Sequence, residues 1–466
     1  MELPACAGES SAPCTLRCGT RANGCVSYAE YTPLAANADE TRSLRFGPID
    51  PEGSWAFYRD ERTRGPREAT LYRWSAEGGD VALADALGLP AANPELPEAT
   101  VVLEVGAAGD AILLLGYDDE VANHGYVWTR DAGLARLDFV PWDMSADGGV
   151  VVGSRGGPAV VWDRAAGVRR LDGAALDATP FTPPDVVPDE LARLISVRWM
   201  QVSDSGDHVL SVENSGRGFR WSAALGVRPL AAQPGFPEGA SVELVDLEAG
   251  VFVARTPRTE RQPDRLWWWS EAVGAREIGD LSDQGAPFRR SVSLLRAAGD
   301  VVVGDEAATY GNVAVVRWSA ALGAQRVSPP STLSVPLYVN AAGTTIVGQS
   351  AVGVPANTFR WTASGGTSVV LEGGVASLVA LDGDVLVAPG SSDGSRWSVL
   401  KFDRALEADA ALPIDLIATG PSPGRDAVES SIQLVSENAR LLAGTTRDGL
   451  GVTRAWVIRL RDTCTQ

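Results

Sequence analysis

The sequence predicts an all-β fold, a single β-propeller of four-stranded antiparallel blades with eight or nine units. A tryptophan in a short apolar strand recurs at spacings of 34 to 59 residues, and propeller blades repeat about every 40–50 residues. A hairpin pattern precedes each tryptophan, and no helical periodicity competes with it. A solenoid and a pair of sandwiches are the rival folds. Strands that are apolar on both faces, as in "VVVG" and "AVVRW", favour blades packed between neighbours.

The tryptophan element is an aromatic or β-branched residue, then Arg, then Trp followed by Ser or Thr. Residues 359–362 (FRWT) are a clear copy and 126–129 (YVWT) a looser one. A tryptophan at one strand position in every unit is expected in the core between blades. The preceding Arg has the opposite strand face, so we hypothesise that Arg of one blade stacks on Trp of the next. The aligned tryptophans are Trp74, Trp128, Trp162, Trp221, Trp269, Trp318, Trp361, Trp397 and Trp456.

Each unit is predicted to contain four strands, A to D from the axis outward. The clearest A–B hairpin is "YVNAAGTTIVGQS" at 338–350, and a Gly-containing turn after each tryptophan leads to strand D. Nine units can be counted from about residue 40 to 461, and eight blades with a divergent extra segment is the alternative. The last unit lacks a fourth strand, which "CVSYAEYTPL" at 25–34 can supply to close the ring. The acidic turn at 203–207 is expected to be a hairpin turn rather than a calcium loop, because it lacks alternating carboxylates.

The cysteines are concentrated near the two ends of the sequence. Cys14, Cys18, Cys25 and Cys464 are predicted to form disulfides in an oxidising compartment, with one bridge between Cys464 and the N-terminal cluster locking the ring. A zinc site with Cys14, Cys18 and Cys25 is the rival interpretation, and it needs Cys464 or Cys6 as fourth ligand. We favour disulfides and expect no metal.

Cys6 is a candidate lipidation site, because "LPAC" is typical of the end of a bacterial lipoprotein signal. The hydrophobic segment that should precede it is missing from this sequence, so the true start stays open. We divide the chain into a cysteine-rich exported segment, residues 1–26, and a propeller domain, residues 27–466. A free thiol is the alternative for the fifth cysteine.

The composition excludes two classes of partner. The net charge of -19 and pI of about 4.6 give a surface that repels phosphate backbones, so nucleic acid is not expected. No run of 18 apolar residues occurs, so contact with a membrane is expected only through a lipid anchor. We expect a monomer in the extracellular space or cell envelope.

The repeat resembles the bacterial extracellular repeats of the HAF family, whose pattern is an apolar residue, Asn, two variable positions, Gly, then Val-Val-Gly and Ser, followed by His-Ala-Phe-x-Trp. Residues 339–343 (VNAAG) and 346–350 (IVGQS) match the first half, and 124–128 (HGYVW) is similar to the second. No intact His-Ala-Phe occurs. The resemblance implies an exported protein with propeller repeats, and it carries no catalytic residues to transfer.

Long insertions are expected on one face, which carries the B–C loops and the D-to-A connections. The D-to-A insertions are 88–99, 173–194 and 411–430, and the long B–C loop is 254–265. Repeat proteins often place their insertions on the binding face. We therefore expect a partner to bind there.

The loop at 254–265 supplies the candidate ligand-binding residues, Arg255, Arg258, Arg261 and Arg265, and it leads into three consecutive tryptophans. Arg with Trp suits an anionic or sugar ligand, through bidentate hydrogen bonds and stacking. A solvated loop whose arginines neutralise nearby carboxylates is the alternative. Trp268 is the fifth candidate, because it replaces the Arg of the repeat, whereas Trp267 and Trp269 are expected in the core.

No catalytic residues, metal ligands or cofactor are predicted. The two histidines are scattered, and no nucleophile elbow, zinc motif or phosphate loop occurs. The sequence therefore indicates a non-enzymatic binding module for a protein or a cell-surface glycan. The alternatives are a propeller-type glycoside hydrolase or polysaccharide lyase with paired carboxylates in the central funnel, and a purely structural envelope protein.

Overall fold

The computed structural model describes most of the chain outside the long loops. The described residues form eight four-stranded antiparallel sheets and one five-stranded sheet, so the predicted all-β propeller fold is confirmed. The described residues are 14–20, 25–34, 42–62, 69–89, 99–106, 109–117, 123–155, 159–171, 197–213, 218–222, 226–247, 250–256, 265–278, 294–298, 301–307, 313–319, 321–329, 333–340, 342–351, 356–371, 378–380, 385–389, 397–401, 412–416, 427–436, 440–448 and 453–464.

The strands follow the repeat in chain order. β1 (Cys14–Thr20) and β2 (Cys25–Pro33) precede blade 1, which comprises β3 (Arg42–Ile49), β4 (Trp55–Arg62), β5 (Ala69–Ser75) and β6 (Gly79–Ala82), followed by α1 (Leu83–Ala86). Blade 2 comprises β7 (Ala99–Val105), β8 (Ala111–Tyr117), β9 (Asn123–Thr129) and β10 (Gly133–Leu137). Blade 3 comprises β11 (Val140–Met144), β12 (Val150–Ser154), β13 (Ala159–Asp163) and β14 (Gly167–Arg170). Blade 4 comprises β15 (Val197–Val202), β16 (His208–Glu213), β17 (Gly218–Ser222) and β18 (Gly226–Pro229), followed by a short 3-10 helix (Leu230–Ala232).

The second half continues the pattern. Blade 5 comprises β19 (Ser241–Asp246), β20 (Val251–Thr256), β21 (Arg265–Ser270) and β22 (Gly274–Glu277). Blade 6 comprises β23 (Leu294–Ala298), β24 (Val301–Ala307), β25 (Val313–Ser319) and β26 (Gly323–Arg326). Blade 7 comprises β27 (Leu333–Val339), β28 (Thr345–Ala351), β29 (Asn357–Thr362) and β30 (Gly366–Leu371), and blade 8 comprises β31 (Leu378–Ala380), β32 (Val385–Pro389), β33 (Trp397–Lys401) and β34 (Leu412–Leu416). The last strands are β35 (Ala427–Val435), β36 (Leu441–Asp448) and β37 (Thr453–Cys464).

The structure divides into two compact units, one formed by 1–117 with 374–466 and the other by 118–373. The first unit contains the five-stranded sheet, here called the closing sheet, in the order β1-β2-β37-β36-β35. β2 pairs antiparallel with β37 from Cys25 opposite Cys464 to Pro33 opposite Trp456. The prediction that residues 25–34 supply the missing fourth strand is therefore confirmed, and β1 adds a fifth strand outside it.

The Asn-x-x-Gly half of the repeat forms the A–B turn. In blade 7 the Asn340 N–H donates to the Thr345 carbonyl (3.1 Å), and the Thr345 N–H donates to Asn340 Oδ1 (3.0 Å). Gly343 has a φ of 63°, a left-handed conformation that favours glycine. The hydroxyls of Ser145 and Ser203 take the place of the Asn amide in blades 3 and 4. The acidic segment 203–207 is thus the hairpin turn that was predicted.

The Val-Val-Gly half of the repeat makes room for strand A. In blade 7 the register of strand A shifts between Pro336 and Tyr338, which is a β-bulge, and Gly348 lies opposite Pro336. A Cβ on Gly348 would come within 2.8 Å of the Val335 carbonyl oxygen. The glycine therefore lets the bulged backbone approach. The backbone geometry of blade 7 therefore accounts for the Asn-x-x-Gly and Val-Val-Gly positions, which form the first half of the resemblance motif.

The aligned tryptophans all lie on the third strand of their sheets. Trp361 pairs with Thr367, six residues later on the fourth strand, and the same offset holds for Trp74, Trp128, Trp162, Trp221, Trp269 and Trp318. Trp397 and Trp456 depart from this register. Trp456 lies opposite Gly444, which is the position that Phe359 holds opposite Gly348. The sequence alignment is therefore shifted in the last two sheets.

The repeat tryptophans pack against the preceding blade in the unit formed by 118–373. Trp361 of blade 7 lies in one buried cluster with Val301, Val303 and Val315 of blade 6. Trp221 of blade 4 lies in another, with three residues of blade 3, Val152, Val161 and Leu171. The prediction that these tryptophans form core between blades is confirmed for both.

The hypothesis that Arg stacks on Trp of the next blade is confirmed for Arg317. Its guanidinium carbon lies 5.6 Å from the centre of the Trp361 ring, and its Nε donates to the Gly343 carbonyl at 3.0 Å. Arg220 departs from this arrangement and forms an ion pair with Glu271 at 3.0 Å. Where the repeat Arg is replaced by valine in blade 3, Arg169 on the neighbouring strand lies over the tryptophan of blade 4 at 5.2 Å. A cation therefore reaches the next blade from either of two adjacent strands.

We expect Arg317→Ala to lower the free energy of unfolding by about 2 kcal/mol, since the cation–π contact is lost and the buried Gly343 carbonyl loses its donor. Thermal unfolding followed by circular dichroism measures this as a lower melting temperature. Arg228→Ala, which removes an exposed arginine of strand β18, is the matched control. A melting temperature unchanged by Arg317→Ala would contradict the role given to Arg317.

Two glycine substitutions separate backbone strain from steric conflict. Gly343 and Gly323 both have positive φ, but a Cβ on Gly343 would lie 2.7 Å from the Val301 side chain, whereas a Cβ on Gly323 meets nothing within 4 Å. We expect Gly323→Ala to lower the free energy of unfolding by about 1 kcal/mol, and Gly343→Ala to lower it by about 1–3 kcal/mol more. Chemical denaturation of both variants measures the difference, and equal costs would show that the turn does not pack tightly on blade 6.

Candidate functional site

The candidate site is the end of blade 5 at which the central strands β20 and β21 are joined by the long B–C loop. The structure describes Arg255 and Arg265 on these strands, while Arg258 and Arg261 lie outside the described residues. Arg255 lies near the end of β20 and Arg265 begins β21, so these two candidates flank the loop. The two described arginines differ in their surroundings.

Arg255 is paired with a carboxylate on β19, the first strand of blade 5. Its Nε lies 3.4 Å from Glu243 Oε1, and both side chains are about four-fifths buried, with 20% and 21% exposed. Glu243 is the extra residue of a β-bulge, because the register of β19 shifts between Val242 and Leu244. Ser241 Oγ also donates to Glu243 Oε1, at 3.4 Å. The bulge thus turns an acidic side chain towards Arg255, and this arginine has its charge matched within the blade.

Arg265 lies on the other face of the blade with a looser partner. Its Nη1 is 3.7 Å from Glu277 Oε2, and the two side chains are 41% and 45% exposed. An ion pair this exposed contributes only about 0–1 kcal/mol. The Arg265 guanidinium can therefore exchange Glu277 for another anion at little cost. For both described arginines, the expected neutralisation by nearby carboxylates is what the structure shows.

Trp267 lies two residues from Arg265 on the same strand, so both side chains share one face. Its ring is half-buried, and its indole N–H donates to Thr256 Oγ1 at 3.1 Å. Thr256 lies directly opposite Arg265 across the β20–β21 pair. The hydrogen bond fixes the orientation of the indole and occupies its donor. What remains for a ligand is the flat apolar surface of the ring beside a guanidinium.

Trp268 lies on the opposite face and is 5% exposed. It packs in a cluster with Val253, Val302 and Trp318, and its ring centre lies 6.5 Å from that of Trp318. This is the relation that Arg317 has to Trp361, so Trp268 replaces the repeat Arg as the contact to the next blade. Trp267, which was expected in the core, is only partly buried, and Trp268, the candidate ligand-binding residue, is buried in the core. Trp269 is fully buried as expected.

Sequence reasoning missed Trp267, although a signal was present. In blade 7 the aromatic residue two positions before the tryptophan, Phe359, lies over Gly348. The residue opposite Trp267 is Ala254 instead of glycine. The methyl group occupies the space that the ring would need, so the larger indole stays partly in solvent. Ala254, which replaces the glycine of the Val-Val-Gly pattern, therefore indicated in the sequence that Trp267 would not be fully buried.

Several other predicted sites lie partly or wholly outside the described residues. Of the insertions, 90–98, 172–196 and 417–426 lie outside them, but residues 412–416 form strand β34 of blade 8 rather than part of an insertion. Cys6 also lies outside. Cys14 and Cys18 lie in β1, Cys25 begins β2 and Cys464 ends β37.

A polar cluster in blade 1 belongs to the core. The Tyr58 ring is fully buried and stacks on Tyr72, with ring centres 5.2 Å apart. Burial raises the pKa of Tyr58 well above its usual range, and the negative charge of Asp80 raises it further. Tyr58 is therefore protonated at neutral pH, and it packs with Trp74 and Leu441 in one cluster. Within the described residues, no group of three or more His, Cys, Asp or Glu could hold a metal ion.

Among the described residues, no helix has both the length and the apolar character needed to cross a membrane. No protein-family model matches the sequence, and a search of curated proteins gave no match. Solved structures that resemble the chain include the β-propeller domain of the Trilobed protease from Pyrococcus furiosus, with 8% identity over 78% of this chain and 96% of that one and a TM-score of 0.40. A eukaryotic initiation factor shows 10% identity over 78% of this chain and 89% of that one, with a TM-score of 0.42. Prolyl oligopeptidase B from Galerina marginata shows 10% identity over 88% of this chain and 55% of that one, with a TM-score of 0.39. At these values no ligand or activity transfers to this chain.

Proposed function

We propose that this propeller is an exported, non-enzymatic binding module that recognises an acidic cell-surface glycan through this end of blade 5. The observation that carries the proposal is that Arg265 and the partly buried Trp267 lie on the same face of strand β21, next to the long B–C loop. A guanidinium binds a carboxylate or sulfate in bidentate fashion, and an indole offers a flat apolar surface. Together they match a sugar ring that bears an anionic group.

The electrostatics of the chain make this site selective. A protein of net charge -19 repels anions over most of its surface. An anionic ligand is therefore held where arginines concentrate, and the loop adds Arg258 and Arg261 to the two described arginines. Arg255 is already matched by Glu243, so Arg265 and the loop arginines carry the recognition. A protein is the other partner expected from the sequence.

The cellular setting of this proposal is the extracellular space or the envelope of a bacterium. The resemblance of residues 338–350 to HAF-type repeats supports export, and "LPAC" supports a lipid anchor at Cys6. The clustered cysteines are typical of an oxidising compartment. The protein would act there as a monomer that presents its loop-rich face.

Binding to an array of neutral, carboxylated and sulfated glycans tests the proposal with Trp267→Ala and Arg265→Ala. We expect each variant to lose about tenfold in affinity for the anionic glycans that bind the native protein, since each loses about 1–2 kcal/mol of contact energy. Trp142→Ala removes an indole that is 42% exposed on strand β11 and is the control for Trp267. Arg228→Ala is the control for Arg265.

Three outcomes would contradict the proposal. The first is equal binding by all variants, and the second is a preference for neutral glycans. The third is affinity that does not fall with added salt, because partly exposed charges are screened. An Arg258→Ala/Arg261→Ala variant with native affinity would restrict the site to the strand ends. Release of new reducing ends from a bound glycan would instead support the glycoside hydrolase or lyase alternative.

A further inference from the structure

We infer that Cys25 and Cys464 form a disulfide that joins strands β2 and β37 of the closing sheet. The register of this antiparallel pair places Cys25 directly opposite Cys464, at the outer end of the paired stretch. Directly opposed residues in an antiparallel pair have Cα atoms about 4.5–5.5 Å apart. Disulfides need Cα separations of about 4.4–6.8 Å. This pair therefore meets the backbone requirement without any rearrangement.

Among the described cysteines, the strand order excludes the pairs of Cys464 with Cys14 and Cys18. β1 and β37 are separated by β2 in the closing sheet, so their backbones are about 9.6 Å apart. This distance exceeds the roughly 7 Å limit for a disulfide without backbone movement. Cys14 and Cys18 on β1 are thus out of reach of Cys464.

The remaining pairs among the described cysteines fail for the same reason. Cys14 and Cys18 are four residues apart on one strand, or about 13 Å. Cys14 lies opposite Tyr31, and Cys18 lies beside Gly19, whose partner is Ser27, so both are displaced along the sheet from Cys25. For Cys18 the displacement gives a separation of about 8 Å. Cys25 with Cys464 is the pair that the backbone of the described cysteines permits.

The bond would form by thiol–disulfide exchange with a disulfide oxidant, such as an oxidised glutathione or a protein disulfide donor. One thiolate attacks the oxidant and displaces one thiol, and the second attacks the mixed disulfide and displaces the other. Two cysteine thiols lose two protons and two electrons, and the oxidant is reduced to two thiols. The product closes a loop that contains almost the whole chain, which strongly restricts the unfolded state.

The position of the cysteines allows a direct test on the native protein. Cys464 is the only cysteine after Cys25, so the bond makes 25–464 a covalent ring. A single proteolytic cut within this ring gives two fragments that migrate together on a denaturing gel without reductant and separate after reduction. Fragments that separate without reductant in protein purified from an oxidising compartment would overturn the inference.

Mass spectrometry of a tryptic digest without reductant identifies the partner. Arg17, Arg21, Arg42 and Arg461 place Cys25 in the peptide 22–42, Cys464 in 462–466 and Cys18 in 18–21, while Cys6 and Cys14 share 1–17. We expect the 22–42 peptide linked to the 462–466 peptide. A link from 462–466 to any other peptide, or bound zinc with free thiols after chelation, would overturn the inference.

The consequence for stability is tested with Cys25→Ser and Cys464→Ser, and Cys14→Ser is the matched control. We expect the first two to lower the melting temperature equally, by about 4–8 °C, and the double variant to add nothing. Reductant should lower the melting temperature of the native protein to that of Cys464→Ser and leave that variant unchanged. If the serine variants do not fold, the presence or absence of the linked 22–42 and 462–466 peptides in the native protein still tests the inference. The result is independent of ligand binding, so the glycan proposal stands or falls separately.

Discussion

A blade with two apolar faces has to bury both of them, and this constraint governs the rest of the structure. Trp361 lies on the valines of blade 6, while Arg317 of blade 6 reaches forward to Trp361 and to the carbonyl of Gly343. The contact between blades 6 and 7 is therefore made by side chains of both blades. A first or last blade in an open array would expose one apolar face to water. The last sheet of the chain avoids a missing fourth strand, because β2, from the N-terminal part of the sequence, pairs with β37. In the same unit, Trp74 of blade 1 packs with Leu441 and Val457 of the closing sheet.

Several planar side chains contact the tryptophan of the next blade, and they do so from either of two adjacent strands. Arg317 does so from the repeat position, and Arg169 does so from the neighbouring strand where the repeat position is valine. Trp268 does so as an indole against Trp318. These replacements preserve the packing because guanidinium and indole are both planar and pack on an aromatic ring. The triple tryptophan is thus mostly a variation in how blades are joined.

The parts of the fold that sequence could predict are those that recur. Asn340, Gly343 and Gly348 hold positions whose backbone geometry repeats from blade to blade, so nine weak copies together indicated the strands and turns. Trp456 shows what the repeat pattern could not predict. The position of the aromatic residue opposite a repeat glycine and the position of the repeat tryptophan are only two residues apart in sequence. A tryptophan fits either position, and only the pairing opposite Gly444 distinguishes them. The exposure of Trp267 was missed for a related reason, because it depends on the methyl group of Ala254 across the strand pair.

The candidate site combines a rigid part with a part that can exchange partners, and this combination suits recognition. Trp267 is fixed by its hydrogen bond to Thr256, so little conformational entropy is lost when a ligand covers the ring. Arg265 has an exposed ion pair with Glu277 that a ligand carboxylate can replace. Arg255 is less able to exchange its partner, because breaking its mostly buried ion pair with Glu243 would cost more free energy. Of two arginines on neighbouring strand ends, the structure therefore commits one to the blade and leaves the other able to bind.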